Sequence, residues 1–464
     1  MKVNYCLPII KSKIDGVLKM ISQNQDYDCF EIWLDHIRDL NLDFVKKYEG
    51  KLILRSRRKN LKKIIDSKVS SSCFFDLDIS QKKHFKASRL ILSYHNYRET
   101  PSDEKLQEIV KKMLQQRAAI YKISTFCKSD NDALRLLDLL ADLKEQGLKC
   151  IVLGMGPKGK VTRIAGCVLG NEITYAPVRG SQASAPGQLT KPKLENILKN
   201  IKVCYFVADP VKHSLSPQMH YAGYKALGIE NEFIFLRRRI KPEDLKKFVE
   251  EIKKDPHFKG ASISAPHKIA IMKYLDEIDN VAKKIGAVNT IVKRGKKLTG
   301  YNTDWLGAIT ALEEKINVKN KTVALIGAGG AARAIVYGLA KKGARVKIFN
   351  RSLEHAKKLS ADFGCEYDSL DNLRKIQKMD IIINTTSVGM NKDKSLIDKK
   401  YINQKQLVFD TVYTPSETKL IKDAKQKKAQ VILGINMLLY QGIAQFELLT
   451  GRKAPFEAMR KALI

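Results

Sequence analysis

Arg89-Leu90-Ile91-Leu92-Ser93-Tyr94-His95 is the stretch from which the fold is read. Its short apolar run has strand character from Arg89 to Tyr94, and a histidine stands where it runs out. The next strand-like segment, Ile120–Thr125, carries Lys122. Working outward, similar runs recur at Val3–Ile9, Cys29–Leu34, Lys51–Arg55, Phe74–Leu77, Lys149–Gly154 and Ile173–Ala176. Helical patterns such as Asp130–Gln146 lie between them. Strand–helix alternation builds parallel sheets, because parallel strands need a crossover between them. Eight units in steady alternation predict a closed (β/α)8 barrel over residues 1–200; a doubly wound sheet is the alternative for this half. Barrel chemistry sits at the C-terminal ends of strands, and Glu31, Arg57, His95 and Lys122 all lie near such ends.

A second α/β pattern begins at Val203, after the lysine-rich stretch Lys191–Lys202. It divides into residues 201–318, completed by a helical segment at 434–464, and a Rossmann-like unit at 319–433. With 44% hydrophobic and 29% charged residues the chain is globular rather than disordered. The formal charge of +35 is spread along the chain. Its densest clusters are Arg55-Ser56-Arg57-Arg58-Lys59 and Arg237-Arg238-Arg239, without interleaved aromatics. A solvated lysine-rich surface is therefore expected, not a nucleic-acid partner. The eight cysteines form no C-x-x-C pair, so reduced thiols and no metal are expected. The apolar stretch from Val431 to Ala444 is broken by Asn436 and Gln441 and falls short of the ~20 residues of a membrane span. The start lacks an apolar signal core. A soluble, cytoplasmic protein is expected, with no membrane partner; oligomeric state is not legible.

A lysine attacks a ketone only as the free amine, and the resulting imine drains electrons from the adjacent carbon. A nearby histidine then removes a proton there and later protonates a leaving hydroxyl. Lys122 and His95 suit these roles. Ser93-Tyr94-His95, Glu99-Thr100-Pro101, Lys122, Met155-Gly156 with Arg163, and Ser184-Ala185-Pro186-Gly187-Gln188 follow in order over about residues 1–190. This series resembles type I 3-dehydroquinate dehydratase, a (β/α)8 barrel that removes water through a lysine imine. The resemblance implies Lys122 as the imine lysine and His95 as the proton shuttle. Arg163, Ser184 and Gln188 would hold the substrate carboxylate and ring, Glu31 and Arg57 its hydroxyls, and the loop 184–188 would act as a lid. Two positions depart from the family pattern. Trp33 stands where Glu-x-Arg-x-Asp has its arginine, and Arg58-Lys59-Asn60 replace a Glu-Gly-Gly. Weaker substrate binding with intact chemistry is expected.

Downstream, the strand pattern Thr322–Ile326 runs into Gly327-Ala328-Gly329-Gly330, and a helical pattern from Ala331 to Lys342 follows. This order offers backbone N–H groups and a helix N-terminus to a pyrophosphate. The next strand ends in Asn350-Arg351-Ser352; an arginine there suits a 2′-phosphate, so NADP is the expected cofactor. Ser214-Leu215-Ser216-Pro217, Ser262-Ile263-Ser264-Ala265-Pro266-His267-Lys268, Gly286-Ala287-Val288-Asn289-Thr290, Asn302-Thr303-Asp304, Asp410-Thr411-Val412-Tyr413 and Gly434-Ile435-Asn436 through Gln441 stand in the order of shikimate dehydrogenase, which this region resembles from about 203 to 464. The resemblance implies Lys268 and Asp304 as an acid/base pair, with a structural salt bridge as the alternative. It also implies Ser214 and Ser216 on the carboxylate, and Ser264, Asn289, Asp304, Tyr413 and Gln441 on ring hydroxyls. Gly327, Ala328, Gly329, Gly330, Ala331, Asn350, Arg351, Ser352 and Gly434 would bind NADP. Ser264 stands where the family usually has threonine.

Together the two resemblances imply a bifunctional enzyme. The first half would convert 3-dehydroquinate to 3-dehydroshikimate, and the second would reduce that product to shikimate with NADPH.

Overall fold

The computed structural model describes residues 2–40, 43–56, 73–81, 87–211, 214–390 and 392–463. The chain forms two compact units, residues 1–201 and 202–464. In the first, β1 (Tyr5–Ile9), β2 (Cys29–Trp33), β3 (Leu52–Arg55), β4 (Phe74–Asp78), β5 (Leu90–Asn96), β6 (Ile120–Phe126), β7 (Cys150–Met155) and β8 (Thr174–Tyr175) form one parallel sheet. Its order is β7-β6-β5-β4-β3-β2-β1-β8. The barrel is nearly closed. With only two residues, β8 pairs with β1 but forms no ladder with β7. That seam is spanned by the Asn171 side chain, which accepts from Val152 N and donates to Val152 O, and by Glu172 N donating to Cys150 O.

Strand alternation layers the interior. Side chains two apart share a face, and register aligns Glu31 with Ile53, Asp76 with Ile91, and Ser93 with Lys122. Cys6, Cys29, Ile53, Ile91, Ile120 and Ile151 form the apolar floor. One step toward the strand C-termini the inward residues turn polar: Arg55, Asp76, Ser93 and Lys122. A further step brings Asp78 and His95. β5 continues through His95 to Asn96, two residues beyond the expected end, because its ladder with β6 continues there, pairing His95 with Ser124 and Asn96 with Thr125.

The second unit holds two sheets. β9 (Lys202–Ala208), β10 (Phe233–Arg239), β11 (Phe258–Ile263), β12 (Glu277–Ile278), β13 (Thr290–Arg294) and β14 (Lys297–Tyr301) run in the order β10-β9-β11-β13-β14-β12, with β13 antiparallel to both neighbours. β15 (Thr322–Ile326), β16 (Arg345–Asn350), β17 (Glu366–Ser369), β18 (Ile381–Asn384), β19 (Leu407–Asp410) and β20 (Gln430–Ile432) are all parallel, in the order β17-β16-β15-β18-β19-β20. Strand order reverses between β15 and β18, where open α/β sheets bind ligands. After β20 the helices Gly434–Thr450 and Phe456–Lys461 return to the first of these sheets. They pack Leu439, Phe446, Leu449 and Met459 with Cys204, Phe206 and Phe235.

That core also encloses His220, stacked on Phe235 at 4.1 Å between ring centroids, with neither ring nitrogen hydrogen-bonded. Burial pushes its value from 6.5 down to about 3. The unfolded chain therefore takes up a proton below about pH 6.5 that the folded chain refuses, and stability falls as pH drops through that window. His220→Leu is expected to stabilise the second unit, by an increment that grows about 1.4 kcal/mol per pH unit below pH 6.5. Urea unfolding of both proteins at about pH 7.5 and about pH 5 checks this; an increment independent of pH would refute it.

Candidate active sites

At the C-terminal end of the barrel, Lys122 Nζ is enclosed by three oxygens. It donates to Asp76 Oδ2 at 2.6 Å, to Tyr175 Oη at 2.9 Å and to Glu31 Oε1 at 3.1 Å. Burial raises the Asp76 carboxyl, but Lys122, Arg55 and His95 outweigh it and hold Asp76 below the usual carboxylate range. His95 lies one inward step above Lys122 on the neighbouring strand. Its Nε2 lies 3.1 Å from Arg55 Nη2, and its Nδ1 lies 3.8 Å from Asp78 Oδ2. A guanidinium only donates, so Nε2 is the acceptor and the proton sits on Nδ1, facing Asp78. Burial, reinforced by Arg55 and Lys122 and opposed by Asp78, lowers the His95 value and favours the neutral base. The cavity beside His95 holds about 250 Å³ and is lined by Arg55, Asp76, Asp78, Ser93 and Tyr97 among others.

Arg163 is buried in the first turn of the helix Lys160–Leu169, with its Nε unpartnered. No carboxylate among the described residues lies within ion-pair distance of it, and burial lowers its value to about 10. A buried guanidinium without a counter-ion is a site prepared for an anion. Ser184 and Gln188 face the same cavity as Lys122 and Arg163. They bond each other, Ser184 N donating to Gln188 Oε1 at 2.8 Å and Gln188 Nε2 to Ser184 Oγ at 3.0 Å. The loop they bracket is folded against β7, with Gly156 N donating to Pro186 O. Gly187 has φ +83°, and a Cβ there would meet Gly156 O at 2.5 Å, so this approach needs glycine. Trp33 donates its indole N–H to Glu31 Oε2 at 2.8 Å, and Arg55 lies over its ring at 4.3 Å.

In the second unit a cavity of about 140 Å³ is lined by Ser216, Ser264, Lys268, Asn289, Asp304, Ala331, Tyr413, Gly434 and Gln441 among others. Lys268 Nζ donates to Asp304 Oδ2 at 2.6 Å, and Asn289 Nδ2 donates to Asp304 Oδ1 at 2.8 Å. Asp304 opens the helix Asp304–Glu313, where a negative charge meets the positive end of the helix dipole. Ser214 does not line this cavity. It is buried beside it and accepts from Ser216 N at 3.2 Å. Burial raises the Tyr413 phenol, against the opposing effect of its bond to Ser214.

Gly327, at φ +113°, closes β15, and Gly329 precedes the helix Gly330–Lys341, whose N-terminus has no side-chain cap. Its first N–H groups are thus open to an anion. A Cβ on Gly330 would come within 3.0 Å of Lys268 Cβ, so this loop abuts the Lys268 cavity. At the end of β16, Asn350 Nδ2 donates to Ser352 O, Ser352 caps the helix Leu353–Phe363, and Arg351 is exposed with no acidic partner among the described residues. The loop, the uncapped helix and the free guanidinium fit NADP. Among the described residues no group of three or more His, Cys, Asp or Glu side chains is arranged to hold a metal ion. No helix there is long and apolar enough to cross a membrane. In the basic cluster 237–239, Arg237 donates to Ser214 O, Arg238 to Glu251 and Arg239 to Asp209.

A chloroplastic bifunctional 3-dehydroquinate dehydratase/shikimate dehydrogenase of Arabidopsis thaliana is 32% identical over 507 residues, covering 97% of this chain and 83% of the relative. The chain belongs to this bifunctional family. Family models match in the same order: type I 3-dehydroquinase at residues 51–204, the shikimate dehydrogenase substrate binding domain at 206–291, shikimate/quinate 5-dehydrogenase at 310–412, and the shikimate 5′-dehydrogenase C-terminal domain at 434–464. The NADP(+) shikimate dehydrogenase of Nitrosopumilus maritimus is 41% identical and covers 56% of this chain and 96% of its own length. A solved shikimate 5-dehydrogenase from Thermus thermophilus, in complex with NADP(H) and shikimate, superposes with a TM-score of 0.53 at 31% identity, covering 57% of this chain and 98% of that one.

Within this bifunctional member, several residues at the barrel site escaped the sequence reading. Arg57 lies outside the described residues, and Arg55 is the arginine that reaches His95. Asp76, Asp78 and Tyr175 went unread. Two acids spaced i, i+2 in the apolar run Phe74-Phe75-Asp76-Leu77-Asp78 were the available signal, since that spacing places both on one face of a strand.

Proposed function

We propose that the barrel dehydrates 3-dehydroquinate at Lys122 and that the second unit reduces the resulting 3-dehydroshikimate at Lys268 and Asp304. The observation that carries this reading is that one chain holds two separate cavities, each with a lysine hydrogen-bonded to an acid. In the barrel, Lys122 passes a proton along one of its existing hydrogen bonds and attacks the ketone. The iminium acidifies the neighbouring carbon, neutral His95 removes a proton there, and the same imidazolium protonates the departing hydroxyl. Arg163, with Ser184 and Gln188, takes the carboxylate and ring, Glu31 and Arg55 the hydroxyls, and the loop 184–188 covers them.

In the second unit, residues 202–318 and 434–464 hold the substrate and 319–433 hold the cofactor. NADPH, when bound, supplies the hydride. Lys268 and Asp304 hold the proton that reaches the ketone oxygen. Ser216 serves the carboxylate, with Ser214 behind it accepting from its backbone N–H, and Ser264, Asn289, Tyr413 and Gln441 serve the ring hydroxyls. Gly327, Ala328, Gly329, Gly330, Ala331 and Gly434 approach the dinucleotide backbone, while Asn350, Arg351 and Ser352 receive the 2′-phosphate. All eight cysteines are free thiols, which supports a reducing, cytoplasmic setting.

NADPH consumption by the purified chain supplied with 3-dehydroquinate alone tests the whole reading. Consumption requires both sites. Consumption only when 3-dehydroshikimate is supplied would leave the barrel inactive, with Trp33 the first residue to examine.

Arg163 provides a second test. Arg163→Met is expected to raise the KM for 3-dehydroquinate roughly 10- to 150-fold, matching the ~1.5–3 kcal/mol of a hydrogen bond to a charged group. The same change removes a buried charge without a counter-ion, so the barrel should melt at a higher temperature. An unchanged KM in steady-state kinetics would remove Arg163 from carboxylate binding.

A further inference from the structure

β8 contributes one large inward side chain at the level of Lys122. Tyr175 is 3% exposed. Its oxygen accepts from Lys122 Nζ at 2.9 Å, and Nζ stands 4.2 Å from the centroid of its ring. The other two partners of Nζ, Asp76 and Glu31, are acids that in their ionised form only accept hydrogen bonds. A phenol accepts and donates. Among the described residues no acceptor is found for the Tyr175 proton, so this donor is unspent at the edge of the cavity that holds Lys122, Arg163 and Gln188.

We infer that the Tyr175 hydroxyl donates a hydrogen bond to the substrate ketone oxygen while Lys122 attacks the carbonyl carbon. The inference rests on the imine reading above. The Nζ lone pair forms the new C–N bond and the carbonyl π pair moves to oxygen, which gains the proton that nitrogen loses. That oxygen is then bonded to the carbon that carries Nζ, within reach of a hydroxyl already 2.9 Å from Nζ. The carbinolamine next loses its hydroxyl as water, taking up the proton that Lys122 first passed to a carboxylate partner, and the nitrogen lone pair closes the C=N bond, leaving His95 neutral for the proton abstraction. Tyr175 stays neutral throughout. Burial first, then the charges of Glu31 and Asp76, push its phenol well above the ordinary value, so it polarises the carbonyl without surrendering its proton. Its ring also stands beside the nitrogen that becomes positively charged, a cation–π placement.

Tyr175→Phe keeps the ring and removes only the donor. Loss of a donor aimed at developing oxygen charge is expected to slow dehydration roughly 100- to 1,000-fold. Borohydride trapping of the Lys122 adduct with 3-dehydroquinate, followed by intact mass, should slow in proportion. KM should stay within about 3-fold, since the donor acts mainly as charge develops. Reduction of 3-dehydroshikimate by the same chain should not change. Wild-type dehydration and trapping rates in the variant would overturn the inference. A raised KM with unchanged kcat would also overturn it, by making Tyr175 a binding contact. Wild-type protein that forms no trapped adduct would instead refute the imine reading on which the inference stands.

Discussion

Lys122→Arg is expected to abolish dehydration while reduction continues at the wild-type rate. The guanidinium keeps a positive charge between Asp76 and Glu31 but offers no amine to a ketone. Loss of a covalent nucleophile costs on the order of 10⁴-fold or more, because the remaining groups act only through the adduct it forms. Lys122→Met should lose dehydration to the same extent and also destabilise the barrel, by about 3–5 kcal/mol, since it strands buried carboxylates without a cation. The contrast between the two variants separates chemistry from folding. Formation of the conjugated product from 3-dehydroquinate reports the first activity, and NADPH oxidation with 3-dehydroshikimate reports the second. Dehydration by Lys122→Arg at more than about one-hundredth of the wild-type rate would remove Lys122 from the nucleophile's role.

The second large effect is expected at Asp304. Each of its oxygens already has a donor, Lys268 Nζ on Oδ2 and Asn289 Nδ2 on Oδ1. Asp304→Asn turns one acceptor into an NH2 that must face one of those donors, and it removes the charge that pairs with Lys268. A positioned acid/base group contributes roughly 10²–10⁴-fold, so kcat for reduction should fall within that range with KM little changed. Lys268→Met should fall similarly. The double variant should lose little more than either single one, because the pair acts as one proton-holding unit. Losses that multiply in the double variant would mean that the two residues act independently. Dehydration provides the internal control.

The strands of the barrel were legible because both of their faces are buried, so each reads as a short, nearly unbroken apolar run. Closure was less legible. Eight units suggest a complete ring, but β8 is two residues long, and the bond to β7 comes largely from a side chain, Asn171, that no strand pattern signals. His95, Lys122, Lys268 and Asp304 stood out as chemically active residues at segment ends or in polar loops. Asp76 and Tyr175 did not, because acids and phenols inside an apolar run read as irregularities until register aligns them beside Lys122. Arg55 stands in the sequence as one member of the basic cluster Arg55-Ser56-Arg57-Arg58-Lys59, from which nothing but register singles it out. Ser214, expected on the carboxylate, is buried beside Ser216 and accepts from its backbone N–H.

Trp33 shows how a departure from the family pattern is accommodated. The indole supplies a donor to Glu31 and a face for Arg55, so neither group is left unsupported where an arginine was expected.

The two compact units share one polypeptide, and this bears on supply as well as chemistry. Every translated chain delivers one copy of each catalyst, so their molar ratio cannot drift with promoter strength or separate turnover. At a given NADPH level and below saturation, the steady-state ratio of 3-dehydroshikimate to 3-dehydroquinate is then set by the two catalytic efficiencies, and tuning that ratio requires changes inside the cavities rather than in gene dosage.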